Sequence, residues 1–149
     1  MALTWAVDYQ HLMLGAFVSL LVAALIGDMF VQRPHVLTHP SRYFWFIYYI
    51  PFFLWECFKA NIEVAYRVGH PDLPIHPGIV KVKTTLKSDT GLTFLANSIT
   101  LTPGTMTVDI DKENGYLYIH WIEVKNKETE EATKIVIEKF ERILKRIFE

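Results

Sequence analysis

The sequence predicts an α-helical membrane region, of one or two transmembrane helices, joined to a small α+β domain of β-α-β-β-α order. Three observations carry this. Charge is unevenly spread: between Met1 and Cys57 the only charged residues are Asp8, Asp28, Arg33, Arg42 and Glu56, whereas from Lys59 onward they recur every few positions. Leu12 to Gly27 is an uncharged apolar run. After the proline-rich segment GHPDLPIHPG the apolar period changes from helical to alternating.

The elements are taken in chain order. The first apolar run, extended to residues 9–31, is long enough for a helix to cross a bilayer, where a backbone must satisfy its own hydrogen bonds. Gly15, Ser19 and Ala23 recur at i+4 and form a small-residue strip suited to close helix packing. No basic residue precedes the run, so a retained segment is expected rather than a cleaved signal. QRPHVLTHPSR (32–42) is a loop, with Ser41 placed to cap the next helix. The aromatic run YFWFIYYIPFFLW (43–55) continues into ECFKANIEVAYRV as one helix near 41–67. Glu56, Lys59, Glu63 and Arg67 share one charged face of it, with Phe58, Ile62 and Ala65 off that face. The helix either crosses the membrane or lies in the interface favoured by Trp and Tyr. Arg33 and Arg42 place their loop inside by the positive-inside rule, so two full spans put the domain outside and a single span puts it in the cytoplasm.

The membrane region therefore covers 1–68, the linker 69–78 and the soluble domain 79–149. Residues 79–86 alternate as a half-buried strand, with Val80, Val82, Thr84 and Leu86 on one side. Residues 90–101 are helical and end in a Thr102-Pro103-Gly104-Thr105 turn. Met106–Ile110 and Tyr116–Val124 pair as a hairpin around Asn114-Gly115. A final amphipathic helix starts at the N-cap Asn126 and buries Ala132, Ile135, Val136, Phe140, Ile143, Leu144 and Ile147.

Several function classes are excluded. The net charge is −1 and no basic stripe occurs, which argues against a nucleic-acid partner. One cysteine permits no internal disulfide or cysteine-built metal pair. The histidine pairs His35/His39 and His70/His76 sit in proline-bounded segments without zinc spacing, so no metal or cofactor is expected. Nothing resembles a nucleophile constellation or phosphate loop, and an enzyme is not expected.

The segments FFLWECFKANIEVA (52–65), LPIHPGI (73–79), TLKSD (85–89), FLANSITLTPGT (94–105), VDID (108–111) and LYIHWIEV (117–124) stand in order. This set resembles the E-type subunit of the Mrp-type multisubunit sodium/proton antiporters. A similar subunit occurs in archaeal membrane-bound energy-converting hydrogenase-type complexes. The resemblance implies an accessory subunit in the cell (cytoplasmic) membrane, with a cytoplasmic domain. Its partners would be other antiporter-type subunits, hydrogenase or related oxidoreductase subunits, and the lipid bilayer. A stand-alone membrane-tethered binding module is the alternative. Two residue groups are the candidate sites. Asp28, Glu56 and Glu63, with Lys59, are carboxylates of an ion path or of an interfacial ion-pair set. The motif residues Ser98, Thr100, Thr102, Pro103, Gly104, Thr105, His120 and Trp121 are a turn and a docking surface, the hydroxyls serving backbone groups at the helix end.

Overall fold

The computed structural model describes residues 9–30 and 40–149, with the side chains of 26–30 outside it. The chain divides into two compact units, 1–38 and 39–149, each described by itself. The first holds helix α1 (Tyr9–Phe30), in which the Ser19 hydroxyl donates to the Gly15 carbonyl at 2.7 Å. Its described apolar side chains, Leu12, Phe17, Leu20 and Leu25 among them, are exposed. Among the described residues no helix is long and apolar enough to cross a membrane.

The second unit begins with α2 (Pro40–Gly69), one uninterrupted helix despite Pro51. Ser41 lies inside it rather than capping it, since the helix already starts at Pro40, a residue suited to a first turn. The remaining elements are β1 (Gly78–Lys83), α3 (Asp89–Leu101), β2 (Thr105–Asp111), β3 (Tyr116–Trp121), α4 (Thr129–Val136) and α5 (Glu138–Phe148). The three strands form an antiparallel sheet of order β1-β3-β2, with Val80 opposite Ile119 and Met106 opposite His120. A bulge falls between Thr107 and Asp109. Gly115, at φ +71°, closes the hairpin, and its carbonyl accepts from Thr84 N at 2.9 Å.

Strand alternation decides which sheet face is covered. Val80, Val82, Leu117, Ile119 and Trp121 point into the core, while Ile79, Lys81 and Lys83 point away. Leu92, Leu95 and Ile99 of α3, Ala132 and Val136 of α4, and Phe140, Ile143, Leu144 and Ile147 of α5 complete that core. α3 packs along β2, α4 along β1, and α2 along α5. The β1 exit is tied to α5 by Glu141, whose buried carboxylate accepts from Thr85 N at 2.6 Å and from the Thr85 hydroxyl at 2.5 Å.

Two sequence expectations are corrected at the C-terminus. Asn126 is not the helix cap: its side chain accepts from Glu128 N at 2.9 Å, in a turn ahead of the helix, and α4 begins after Glu128. The single last helix is two, broken at Ile137 (φ −111°, ψ −28°), whose carbonyl accepts from both Phe140 N and Glu141 N. The break turns the apolar face, so Ile137 is fully buried and Ile135, expected in the stripe, is exposed.

Phe140 sits where α2 and the core meet, its ring 6.0 Å from that of Phe52 and 6.4 Å from that of Phe53. Removing a buried ring of this kind costs about 3–5 kcal/mol. Phe140→Ala should lower unfolding stability by that amount in denaturant titration of the full chain in detergent. A loss under about 1 kcal/mol would mean the ring is not packed as described.

Candidate functional site

The α2 helix meets the α+β core along one face. Arg42, Trp45, Tyr49, Phe52, Phe53, Glu56, Ala60, Val64 and Arg67 recur at three and four residues and are buried or half-buried. The remaining face is exposed. The charged face divides: Lys59 and Glu63 are exposed at its flank. The charged residues Glu56 and Arg67 point inward onto the domain, while Phe58 and Ile62 point outward.

Glu56 shows why a charged residue turns inward. Its carboxylate is buried and paired on one oxygen with Lys59, one turn along α2, and on the other with Lys139 of α5. Burial would raise its pKa, but the hydrogen bonds and charges of Lys139 and Lys59 outweigh burial and hold it below the ordinary carboxylate value. It is therefore an ionised clamp between two helices. At the far end Arg67 pairs with Glu123 after β3, and also with Glu63 at 3.5 Å. At the near end the Arg42 guanidinium donates to the Ile147 carbonyl at 3.1 Å and to the terminal residue's oxygen at 3.2 Å.

Between these lies Tyr49, fully packed, hydrogen-bonded to Ser98 of α3. The single Ser98 proton goes to the Phe94 carbonyl at 2.6 Å, which makes the Tyr49 hydroxyl the donor. Burial pushes Tyr49 up to about 12, so it keeps that proton. Cys57 has its thiol 3.8 Å from the Leu101 carbonyl and raised by burial, which disfavours a reactive thiolate.

The motif residues after α3 build the floor of the same junction. The Thr102 hydroxyl donates to Ser98 O at 2.7 Å, the Thr105 hydroxyl to Ile99 O at 2.7 Å, and the Thr100 hydroxyl accepts from Thr107 N at 3.2 Å. These close the C-terminus of α3, whose last carbonyls lack helical partners. Gly104 turns the chain at φ +92° under α2; a Cβ there would lie 3.0 Å from the Ile122 side chain and 3.6 Å from that of Val64. A cavity of about 180 Å³ remains between α2 and this turn, lined by Glu56, Lys59, Glu63, Thr102, Pro103, Thr105 and Trp121. Two groups far apart in sequence thus share one site. His120 does not join them: it lies in the opposite, Ile79 and Met106 row of the sheet. Thr100 is exposed and outside the cavity. The Asp28 side chain, like His35 and His39, lies outside the described part of the chain. Sequence reasoning missed Lys139, Lys125, Glu123, Tyr49 and Arg42. Lys139 sits 83 positions from Glu56, with no local pattern linking them. Among the described residues no His, Cys, Asp and Glu gather to hold a metal ion.

Such a site is a structural junction between the long helix α2 and a small α+β domain. The family described as Na+/H+ ion antiporter subunit matches residues 1–147, and the chain belongs to it. Among its relatives is the E-type Na(+)/H(+) antiporter subunit of Alkalihalophilus pseudofirmus, 49% identical over 79 residues. That alignment takes in 53% of this chain, which spans only half the length of that relative. The E1-type subunit of Staphylococcus saprophyticus is 32% identical over 93% of this chain and 85% of its own. A chain of the membrane-bound sulfane sulfur reductase, an archaeal respiratory membrane complex, superposes with a TM-score of 0.84 at 47% identity, covering 98% of this chain and 89% of that one.

Removing one partner of a buried ion pair costs about 3–5 kcal/mol, whereas an exposed partner costs under about 1 kcal/mol. Lys59→Gln together with Lys139→Gln, which strands the buried Glu56 carboxylate, should therefore destabilise the domain severely in urea titration, and Lys59→Gln alone, whose side chain is 47% exposed and which leaves Lys139 in place, only slightly. Equal losses would show that Lys59, not Lys139, holds the carboxylate. The Glu56 contribution is fully present above pH 4.5, its unfolded value, and is lost as pH falls through the lower folded value. An acid titration of wild type should show this loss, and Glu56→Gln should flatten it.

Proposed function

We propose that this chain is an accessory, non-catalytic integral-membrane subunit of a multisubunit monovalent cation (sodium)/proton antiporter module, in a respiratory complex. The observation that carries it is the family match over residues 1–147 together with 47% identity to a chain of the sulfane sulfur reductase. In this reading α1, counted with residues 26–30 whose side chains lie outside the described part, crosses the bilayer. Its 22 residues rise about 33 Å, close to the hydrocarbon thickness, and its outward Leu, Phe and Val side chains suit lipid. Arg33 and Arg42 favour a cytoplasmic loop and with it a cytoplasmic domain.

Ion translocation belongs to the partner subunits. A proton relay needs a group whose pKa lies near the working pH. Glu56 is instead held ionised by two lysines, which supports a role in joining α2 to the domain over one in an ion path. Glu63 pairs with Arg67 and approaches Lys125 at 4.0 Å, which supports the same role. The turn at Thr102–Thr105 serves to seat α2.

The test is affinity purification in mild detergent. The tag belongs in the exposed turn between Lys112 and Glu113, because the C-terminus is engaged by Arg42 and the Glu149 carboxylate accepts from Lys87 N at 2.5 Å. Antiporter-type membrane subunits should co-purify, together with oxidoreductase subunits if the complex is respiratory. Recovery of the chain alone from intact membranes would contradict the reading and favour a tethered binding module.

A further inference from the structure

We infer that α2 lies flat in the membrane–water interface, its outer aromatic face in the acyl boundary and a basic groove along its flank on anionic lipid headgroups. This rests on the membrane location proposed above and adds how the second helix meets the bilayer.

The outer face of α2 runs from Tyr43 to Tyr66 through Phe44, Ile47, Leu54, Phe58 and Ile62, with no charged residue. Phe44, Ile47, Leu54 and Phe58 are each more than half exposed, at 66%, 67%, 61% and 56%. The stripe is about 35 Å long, far more than a water-facing helix leaves uncovered. The helix cannot stand upright to bury it. The inner face is fixed to the domain from Arg42 at one end to Arg67 at the other. An upright α2 would carry α5 into hydrocarbon, and with it Glu138, Arg142, Lys145 and Arg146. Charges at that depth are strongly disfavoured. Lying flat puts the stripe in lipid and leaves every α5 charge in water or among headgroups.

Two features favour lipid over a partner helix. Close helix packing in a membrane uses small residues, and Ala65 is the one small side chain among the large outer ones. The flank also carries charge of the right sign. A groove of about 360 Å³ runs between Trp45, Tyr48 and Phe52 of α2 and Lys134, Arg142 and Arg146 of α4 and α5, with Glu138 as its one carboxylate. Arg142 pairs with Glu138 at 3.2 Å; Arg146 lies over the Trp45 ring at 4.2 Å and pairs with no carboxylate among the described residues. An arginine held on an interfacial tryptophan is placed to donate to a lipid phosphate. With α2 in the plane, α1 is the one crossing helix among the described residues, and the positive-inside rule then leaves the domain in the cytoplasm.

The test is spin-label depth measurement on the full chain, in whatever complex it purifies with, in vesicles of phosphatidylcholine with a third phosphatidylglycerol. In a Cys57→Ser background, single labels replace Ile47, Leu54, Phe58 and Ile62, and a control label replaces Leu21 in α1. All four α2 labels should be reached by oxygen and lie at one shallow depth, within about 5 Å of each other. A crossing helix would spread them over about 22 Å. That spread, labels reached only by the aqueous nickel chelate, or labels shielded from both reagents by a partner subunit would each overturn the inference. A Leu21 label in water would instead overturn the membrane location itself. Native mass spectrometry addresses the groove: wild type should retain phosphatidylglycerol over phosphatidylcholine, and Arg142→Gln with Arg146→Gln should lose that preference. Lys81→Gln, on the far sheet face, should keep it. Equal retention of both lipids by wild type would overturn the headgroup assignment.

Discussion

The buried carboxylate of Glu56 is the constraint on which the arrangement depends. α2 is apolar around most of its circumference, and nothing in its apolar residues alone says which side should face the domain. Phe52 and Phe53 on the inner face are chemically like Phe44 and Phe58 on the outer one. The charges break that symmetry. Glu56 cannot be buried without cations, and only one rotation of α2 brings it to Lys139 while carrying Arg67 to Glu123, Arg42 to the C-terminal carbonyls and Tyr49 to Ser98. Buried ion pairs add little net stability compared with apolar contacts, so their use here is consistent with fixing orientation.

The turn that ends α3 has a matching purpose. Ser98, Thr102 and Thr105 donate their hydroxyl protons to the Phe94, Ser98 and Ile99 carbonyls, so these groups of α3 are satisfied beneath α2. Gly104 supplies the positive φ and the absence of a side chain that lets Val64 approach. The motif that marks the family in sequence is thus the seat of the second helix. Residues 39–149 thus form one compact unit, an aromatic helix locked to a small sheet domain.

Much of this was legible in the sequence because it is local. The first strand, the α3 helix, the Pro103-Gly104 turn and the Asn114-Gly115 hairpin each follow from alternation, capping or glycine geometry within a few residues, although the alternation over 79–86 runs past the strand's end at Lys83. The break at Ile137 was not legible, since Ile135, Val136 and Ile137 are consecutive apolar residues and only the tertiary fit selects which two turn inward. The site divided the same way. Glu56, Lys59 and Glu63 stand out by helical spacing, and Thr102, Pro103, Thr105 and Trp121 by motif. That they line one cavity follows from the packing of α2 across α3 and α5, which no local pattern encodes. Spacing put Glu56 and Arg67 on one face of α2 and Phe58 and Ile62 off it, as observed, but which of those faces meets the domain depends on Lys139 and Glu123, which lie far away in sequence.

The most direct measurement is a double-mutant cycle between Glu56 and Lys139, using Glu56→Gln, Lys139→Gln and the double variant in the full chain reconstituted in lipid nanodiscs. Hydrogen exchange of α2 amides supplies the free energies. If the pair orients the helix, the two changes should be coupled by at least about 1.5 kcal/mol, the double variant losing much less than the sum of the singles. Additive losses, with a coupling within about 0.3 kcal/mol of zero, would contradict the orienting role of the pair and leave the seating of α2 to its other contacts.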